Sequence, residues 1–257
     1  MRIAKWPMVS LVLVTVSLAP VWADDDAKNV IEKAIKAHGG REILKKNRER
    51  PVYSVAQAQV FVEEMELSGT MEITGIARDK TYHFRHELSL KIMDMDVQQT
   101  VGFDGKELWI ALNGQILASY DKKEDLDILK DFIWAEEAAD LVALDGPDIK
   151  LSIIGEDKVG DHAVVGVRVS KKGHSDVAMY FDQKTFLLRK IENRSLDFVT
   201  RQEVEQQRIL ENYVDFEGQK VPKRMTIFQD GKKLVELEVK EYKYLERVEN
   251  TLFSRPK

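Results

Sequence analysis

From residue 24 onward the spacing of apolar positions changes period three times, and each change predicts a different element. Over Asp24 to Lys46, Val30, Ile31, Ala34, Ile35 and Ala37 recur at i, i+3 and i+4, the stripe of an amphipathic helix with one buried face. Three acids at its start favour a helix N-terminus. Gly39-Gly40 breaks the stripe in the position of a C-cap, and Arg41 to Lys46 adds a short second helix.

From Pro51 to Asp104 the period is two. Val60 and Val62 alternate with Phe61 and Glu63; Leu67, Gly69, Met71 and Ile73 alternate with polar residues. Met93, Met95, Val97, Val101 and Phe103 alternate with Asp94, Asp96, Gln98 and Thr100. This pattern predicts antiparallel strands with one apolar and one wet face. Asp104-Gly105 and Asn113-Gly114 are hairpin turns flanking a strand, Glu107 to Leu112, centred on Trp109.

The helical period returns in Asp121 to Leu144, through Ile128, Leu129, Phe132, Ile133, Ala135, Ala139, Leu141 and Val142, with a break expected near Trp134 to Glu136. After Asp145-Gly146-Pro147 the strands resume: Ile149–Val159, Ala163–Lys171, Val177–Asp182 and Leu187–Leu196. Glu203–Val214, Val221–Gln229 and Leu234–Leu245 complete them. The expectation is about a dozen strands, a leading helix and one helical insertion. No Pro, Gly or Ser-rich linker divides them, so residues 24–257 read as one domain.

The first 23 residues stand apart. Arg2 and Lys5 give a positive start, Met8 to Ala19 an apolar run, and Val21-Trp22-Ala23 a small-residue cleavage site. That is the layout of a secretory signal peptide, and the run is short of the ~20 residues that span a bilayer. The expected mature chain starts at Asp24 and is exported. Cysteine is absent, which excludes a lipid-modified cysteine, thiolate zinc sites and thiol nucleophiles. The formal charge of −5 becomes −7 once Arg2 and Lys5 are lost. A mildly acidic chain without a basic block is a poor binder of nucleic acid or anionic membranes.

Catalytic sets are scarce. Of five histidines, His83 and His86 lie three apart on a strand and so point to opposite faces. His38 reads as a helix-end residue that meets the last carbonyls, and His162 and His174 sit beside turns. No HExxH, GxSxG, P-loop or GxGxxG pattern occurs. Asp94 and Asp96 read as a solvated strand face. The sequence does not argue for an enzyme, a metal or a cofactor.

A large antiparallel sheet with so little helix cannot cover its apolar face and must curl on itself. Methionines at 71, 93, 95 and 179 offer adaptable lining for apolar ligands, or gap filling in an occupied core.

The strand residues carry a resemblance. Gly75 to Phe84 contains an arginine followed by two alternating aromatics, Tyr82 and Phe84, and Asp104 to Trp109 reads DGKELW. Val177 to Asp182 with Leu187 to Ile191, and the closing Leu252 to Pro256, complete the set. In order and spacing these motifs resemble the LolA family of periplasmic lipoprotein carriers. The resemblance implies a mainly β fold: a strongly curved antiparallel sheet forming an incomplete barrel, covered by lid helices at about 24–46 and 121–144. It implies a hollow for acyl chains lined by Met71, Met93, Met95, Trp109, Phe132, Trp134, Met179 and Phe181. Arg78 matches the arginine that bonds the lid and gates release, with Asp79 standing where the family usually has proline.

The leading expectation is therefore an exported, monomeric, periplasmic carrier or chaperone for a lipidated or amphiphilic ligand, such as lipoprotein acyl chains, with membrane-bound donor and acceptor proteins. The alternatives are a non-catalytic envelope scaffold or lipoprotein-sensing regulator with a filled core, and an enzyme whose site the sequence hides.

Overall fold

The computed structural model describes residues 24–78, 81–197 and 200–256. The expected signal peptide and Asp79 lie outside these residues. Helices α1 (Asp24–Ala37) and α2 (Arg41–Arg48) lead into six strands: β1 (Val52–Val62), β2 (Met65–Arg78), β3 (Thr81–Ile92), β4 (Met95–Phe103), β5 (Leu108–Leu112) and β6 (Gln115–Tyr120). Helix α3 (Lys123–Ala139) and a 3-10 turn (Val142–Asp145) follow. Then come β7 (Ile149–Val159), β8 (His162–Lys171), β9 (Val177–Asp182) and β10 (Leu188–Leu196). The last strands are β11 (Glu203–Phe216), β12 (Gln219–Gln229) and β13 (Lys232–Tyr244), before a 3-10 turn at Asn250–Leu252.

All thirteen strands form one antiparallel sheet in the order β6-β5-β4-β3-β2-β1-β13-β12-β11-β10-β9-β8-β7, not closed into a barrel. The first strand pairs with the last at the centre, and the two free edges, β6 and β7, are the strands joined through α3. The chain therefore has to carry α3 across one face to pass from edge to edge. One cross-strand row follows that face across eight strands: Val60, Val235, Ile227, Arg208, Ile191, Met179, Val167 and Ile153.

Helices fill this hollow face on the β7–β11 side. Ala27, Ile31, Ala34 and Ile35 of α1 and Trp134, Ala135 and Ala138 of α3 pack on Val167, Met179, Phe181 and Ile191 in one buried cluster. Each fully buried large side chain there contributes about 1.5–3 kcal/mol. The first half of α3 covers a second patch, where Leu129 meets Phe84, Phe103 and Leu108. At the end of α1 the ring of buried His38 donates from Nδ1 to the Ala34 carbonyl at 2.8 Å and accepts at Nε2 from the Leu188 N–H. Burial lowers its pKa and keeps it neutral.

Two expectations change. Helix α3 runs unbroken through Trp134 to Glu136, since no Gly or Pro interrupts 123–139 and small Ala135 and Ala138 let it sit close to the sheet. It ends where Leu141 takes a positive φ of 56°. Met93 and Asp94 are not strand residues: with φ of 47° and 64° they form the turn between β3 and β4, the left-handed pair a two-residue hairpin needs.

Candidate functional site

The part of the hollow that the helices leave uncovered is the candidate site. A third apolar cluster, free of helix residues, has buried Ala56, Ala58 and Leu237 with half-buried Met71, Leu88, Met225, Val235 and Val239 against them. Its floor is small by sequence: Ala56 and Ala58 on β1 sit beside Met71 and Gly69 on β2. Side chains from β2 and β3 on one side and from β12 and β13 on the other thus converge over the alanines. The trough follows the strands from the Val52–Tyr244 pair to the Val60–Val235 pair, about 26 Å at the usual strand rise.

Its mouth lies at the hairpin tips. Of the eleven exposed large hydrophobic residues among those described, nine sit there: Val62 and Met65, Met93 and Met95, Leu112, Ile116 and Leu117, Leu196, and Leu234. Met93 is 87% and Met95 62% exposed. By register Val62, Met65, Met95 and Leu112 are on the inner face, at the end of the trough, whereas Ile116 and Leu196 are on the outer face.

His86 stands in the trough between Ile73 and Val101 and leans on Phe84, ring centroids 4.8 Å apart. Burial pushes its pKa down to about 4, so it is neutral at physiological pH.

The far end of the trough is polar. A cavity of about 180 Å³ lies between α2, the end of α3 and strands β1, β2, β3 and β13, walled by Tyr82, Tyr242 and Tyr244. The Tyr244 hydroxyl donates to Gln219 Oε1 at 2.8 Å, and Asn47 Nδ2 donates to the same oxygen at 2.9 Å. Arg50 stacks on the Tyr244 ring at 4.3 Å and pairs with Glu217 at 2.6 Å. Arg48 pairs with Asp140 at 3.2 Å. Burial lifts Asp140 to about 7, with Arg48 pulling it down and Glu136 and Glu137 adding to the rise. Its side chain is still 43% open to water, and solvent screening trims that shift. A smaller space of about 60 Å³ continues past Tyr82 toward Thr81, Glu136 and Glu137.

The residues expected to line a single hollow are dispersed. Met71 is in the trough, and Met93 and Met95 are at its mouth. Phe132 packs on Phe84 at the helix-covered patch, centroids 5.8 Å apart. Trp134, Met179 and Phe181 are fully buried in the core under α1 and α3. Trp109 faces away from the hollow: Leu108 takes the inner side of β5, and the Trp109 indole N–H donates to the Phe253 carbonyl at 2.8 Å on the outer face. Arg78 is also on the outer face, because its neighbour Ala77 shares the inner row with Tyr82. There it donates to Asn250 of the C-terminal turn rather than to a lid helix.

The sequence reading missed Tyr82, Tyr242, Tyr244, Asn47 and Gln219 as a group. The available signal was the two-residue spacing of Tyr242 and Tyr244, which puts both on one strand face.

No family model matches the sequence, and no curated protein matches it. The fold is similar to that of a DUF1329 family protein from Desulfovibrio piger, with a TM-score of 0.57 at 11% identity over 89% of this chain and 97% of that one. It is also similar to a LolA superfamily protein from Nitrosomonas europaea, with a TM-score of 0.52 at 12% identity over 89% and 97% of the two chains. The chain is built on the fold of LolA superfamily proteins, as a distant likeness in structure.

Proposed function

We propose that this protein is an exported, periplasmic, non-catalytic carrier that holds an amphiphilic ligand in the uncovered trough. The observation that carries the reading is the apolar cluster around Ala56 and Ala58, in which no helix residue takes part among the described residues and which runs out along the inner face to exposed Val62, Met65, Met95 and Leu112. The driving force is apolar burial, ~0.8 kcal/mol per CH₂ taken out of water. Met71, Met93 and Met95 line the path, with thioether chains that repack around different tails. Met71 and Met225 part to admit the chain; α1 and α3, fixed in the filled core, stay in place. The reading needs no cofactor and no nucleic acid, and a monomer suffices. Lipoprotein acyl chains are one such ligand, and membrane proteins would load and unload them.

The same filled core under α1 and α3 favours a second reading, an envelope scaffold or sensor that binds a protein partner and no lipid. Titration with 1-N-phenylnaphthylamine separates them. The carrier reading expects saturable emission enhancement with the wild type, weakened at least tenfold by Ala58→Phe, which blocks the trough floor. No enhancement with the wild type, or equal binding by both, contradicts it. Met95→Glu at the exposed mouth, where packing is not at stake, should weaken the probe as well.

A further inference from the structure

The polar cavity at the inner end of the trough has no part in holding an apolar tail. Its position in the register is informative. The wall of Tyr244, Val52 and Gly75 is one cross-strand row, and Tyr242, Ser54, Ile73 and His86 form the next. The row after that is Val239, Ala56, Met71 and Leu88, the trough itself. Polar cavity and apolar trough are thus consecutive stretches of one face, two rows apart, with roughly 7 Å between alternate rows.

The charges around the cavity decide what it suits. Arg48 is paired with Asp140, and Arg50 with Glu217. In the adjoining space Glu136 is paired with Arg208, and Glu137 with Lys171 at 3.6 Å. Each of four basic groups thus has an acidic partner, Asp140 being the one whose charge burial opposes. An incoming ion of either sign would have to displace a partner from one of these pairs, which a neutral head need not do. What is left to bond is uncharged. Among the described residues the Tyr82 hydroxyl has no hydrogen-bond partner, and it projects over Gly75, where a β-carbon would collide with it. Beside it the lining is uncharged too, with Tyr242 next to Tyr244 and with Tyr244 and Asn47 already donating to Gln219 Oε1.

Resting on the carrier reading, we infer that this cavity is a headgroup subsite for an amphiphile whose polar end is uncharged and rich in hydroxyl and carbonyl groups, such as a glycerol ester. The head bonds the Tyr82 hydroxyl among the tyrosines of the cavity, and the acyl chain lies along Met71, Leu88 and Ala58 toward the mouth. A cavity of about 180 Å³ takes a glycerol-sized head and excludes a bulky one.

The test is displacement of bound 1-N-phenylnaphthylamine from the full chain by three amphiphiles of one tail length, each below its micelle concentration: a monoacylglycerol, a fatty acid and an alkyltrimethylammonium. The monoacylglycerol should act at about tenfold lower concentration than either ion, one hydrogen-bonded head against one disrupted ion pair. Tyr82→Phe should weaken it about fivefold and leave the two ions unchanged; Tyr242→Phe, checked for an unaltered melting temperature, should act in the same direction. Equal potency of all three, a preference for either ion, or silent Tyr→Phe variants overturn the headgroup assignment while the carrier reading stands. Failure of the wild type to bind the probe or any amphiphile overturns both.

Discussion

The Tyr82 hydroxyl lies over Gly75 in the space that a β-carbon at position 75 would fill. The two residues are on neighbouring strands, β2 and β3, and Gly75 is paired with Val52 on β1. A glycine at this point is what allows the tyrosine to lie flat against the sheet and wall the polar cavity. Gly75→Ala should therefore push Tyr82 out of place. Overpacking of this kind costs about 1–3 kcal/mol, or roughly 2–10 °C in melting temperature for a chain this long. Thermal unfolding followed by circular dichroism reads it; an unchanged melting temperature would mean that the ring has room to move.

The C-terminal segment should act as a clamp on the outer face, separate from the ligand site. Phe253 is fully buried, its carbonyl accepts from Trp109, and its ring meets His83 with centroids 6.0 Å apart. Arg78 bonds Asn250, and Arg255 pairs with Glu107 at 3.0 Å. Phe253→Ala should cost about 3–5 kcal/mol, seen as a lower urea midpoint, whereas Arg78→Leu should cost no more than about 1.5 kcal/mol. Probe affinity should be unchanged in Arg78→Leu. A large loss of binding there would return Arg78 to the gating role that the family resemblance implied.

His86 gives the trough a pH signature. Burial lowers its pKa to about 4, against about 6.5 in an unfolded chain. The unfolded state therefore binds a proton that the folded state refuses, and stability falls as pH drops from about 6.5 to about 4, then levels off. The loss is at most about 3 kcal/mol. Buried His38 is lowered as well and works in the same direction. Asp140, raised toward 7, works in the opposite direction, favouring the folded state as pH falls from about 7 to about 4. The difference between the wild type and His86→Leu isolates the histidine: the two curves of unfolding free energy should diverge below pH 6.5 and run parallel above it. Parallel curves throughout would show that water reaches the imidazole.

Much of this was legible in the sequence because the signals are local. Alternation gave the strands, Asp104-Gly105 and Asn113-Gly114 gave the hairpins, and Gly39-Gly40 marked the break between α1 and α2. What failed was phase. Between Val55 and Ala56 the pairing with β13 slips, so Val235, Leu237 and Val239 share the inner face with Tyr242 and Tyr244 although the run of odd numbers changes to even. A strict period of two puts those tyrosines on the wet face and hides the cavity. The resemblance put Trp109 in the hollow; only the register with Gly102, whose missing side chain makes room for the indole, shows that the ring turns to the outer face. Which part of the hollow the helices fill was a matter of tertiary packing, with no local signal.

The mouth should be separable from the fold. Met93 and Met95 bury little and touch no core cluster among the described residues, so Met93→Lys with Met95→Lys should change stability by no more than about 0.5 kcal/mol. Probe affinity should fall several-fold, since two charges now flank the entrance. Equal affinity in the double variant would move the entrance away from the β3–β4 tip.

Native mass spectrometry of the protein, purified without detergent from the envelope of cells that export it, addresses the carrier reading most directly. A carrier should show a second population heavier than the polypeptide by the mass of one amphiphile, which organic extraction removes and Ala58→Phe greatly reduces. A single population at the polypeptide mass, with no phenylnaphthylamine binding by the same sample, would contradict it.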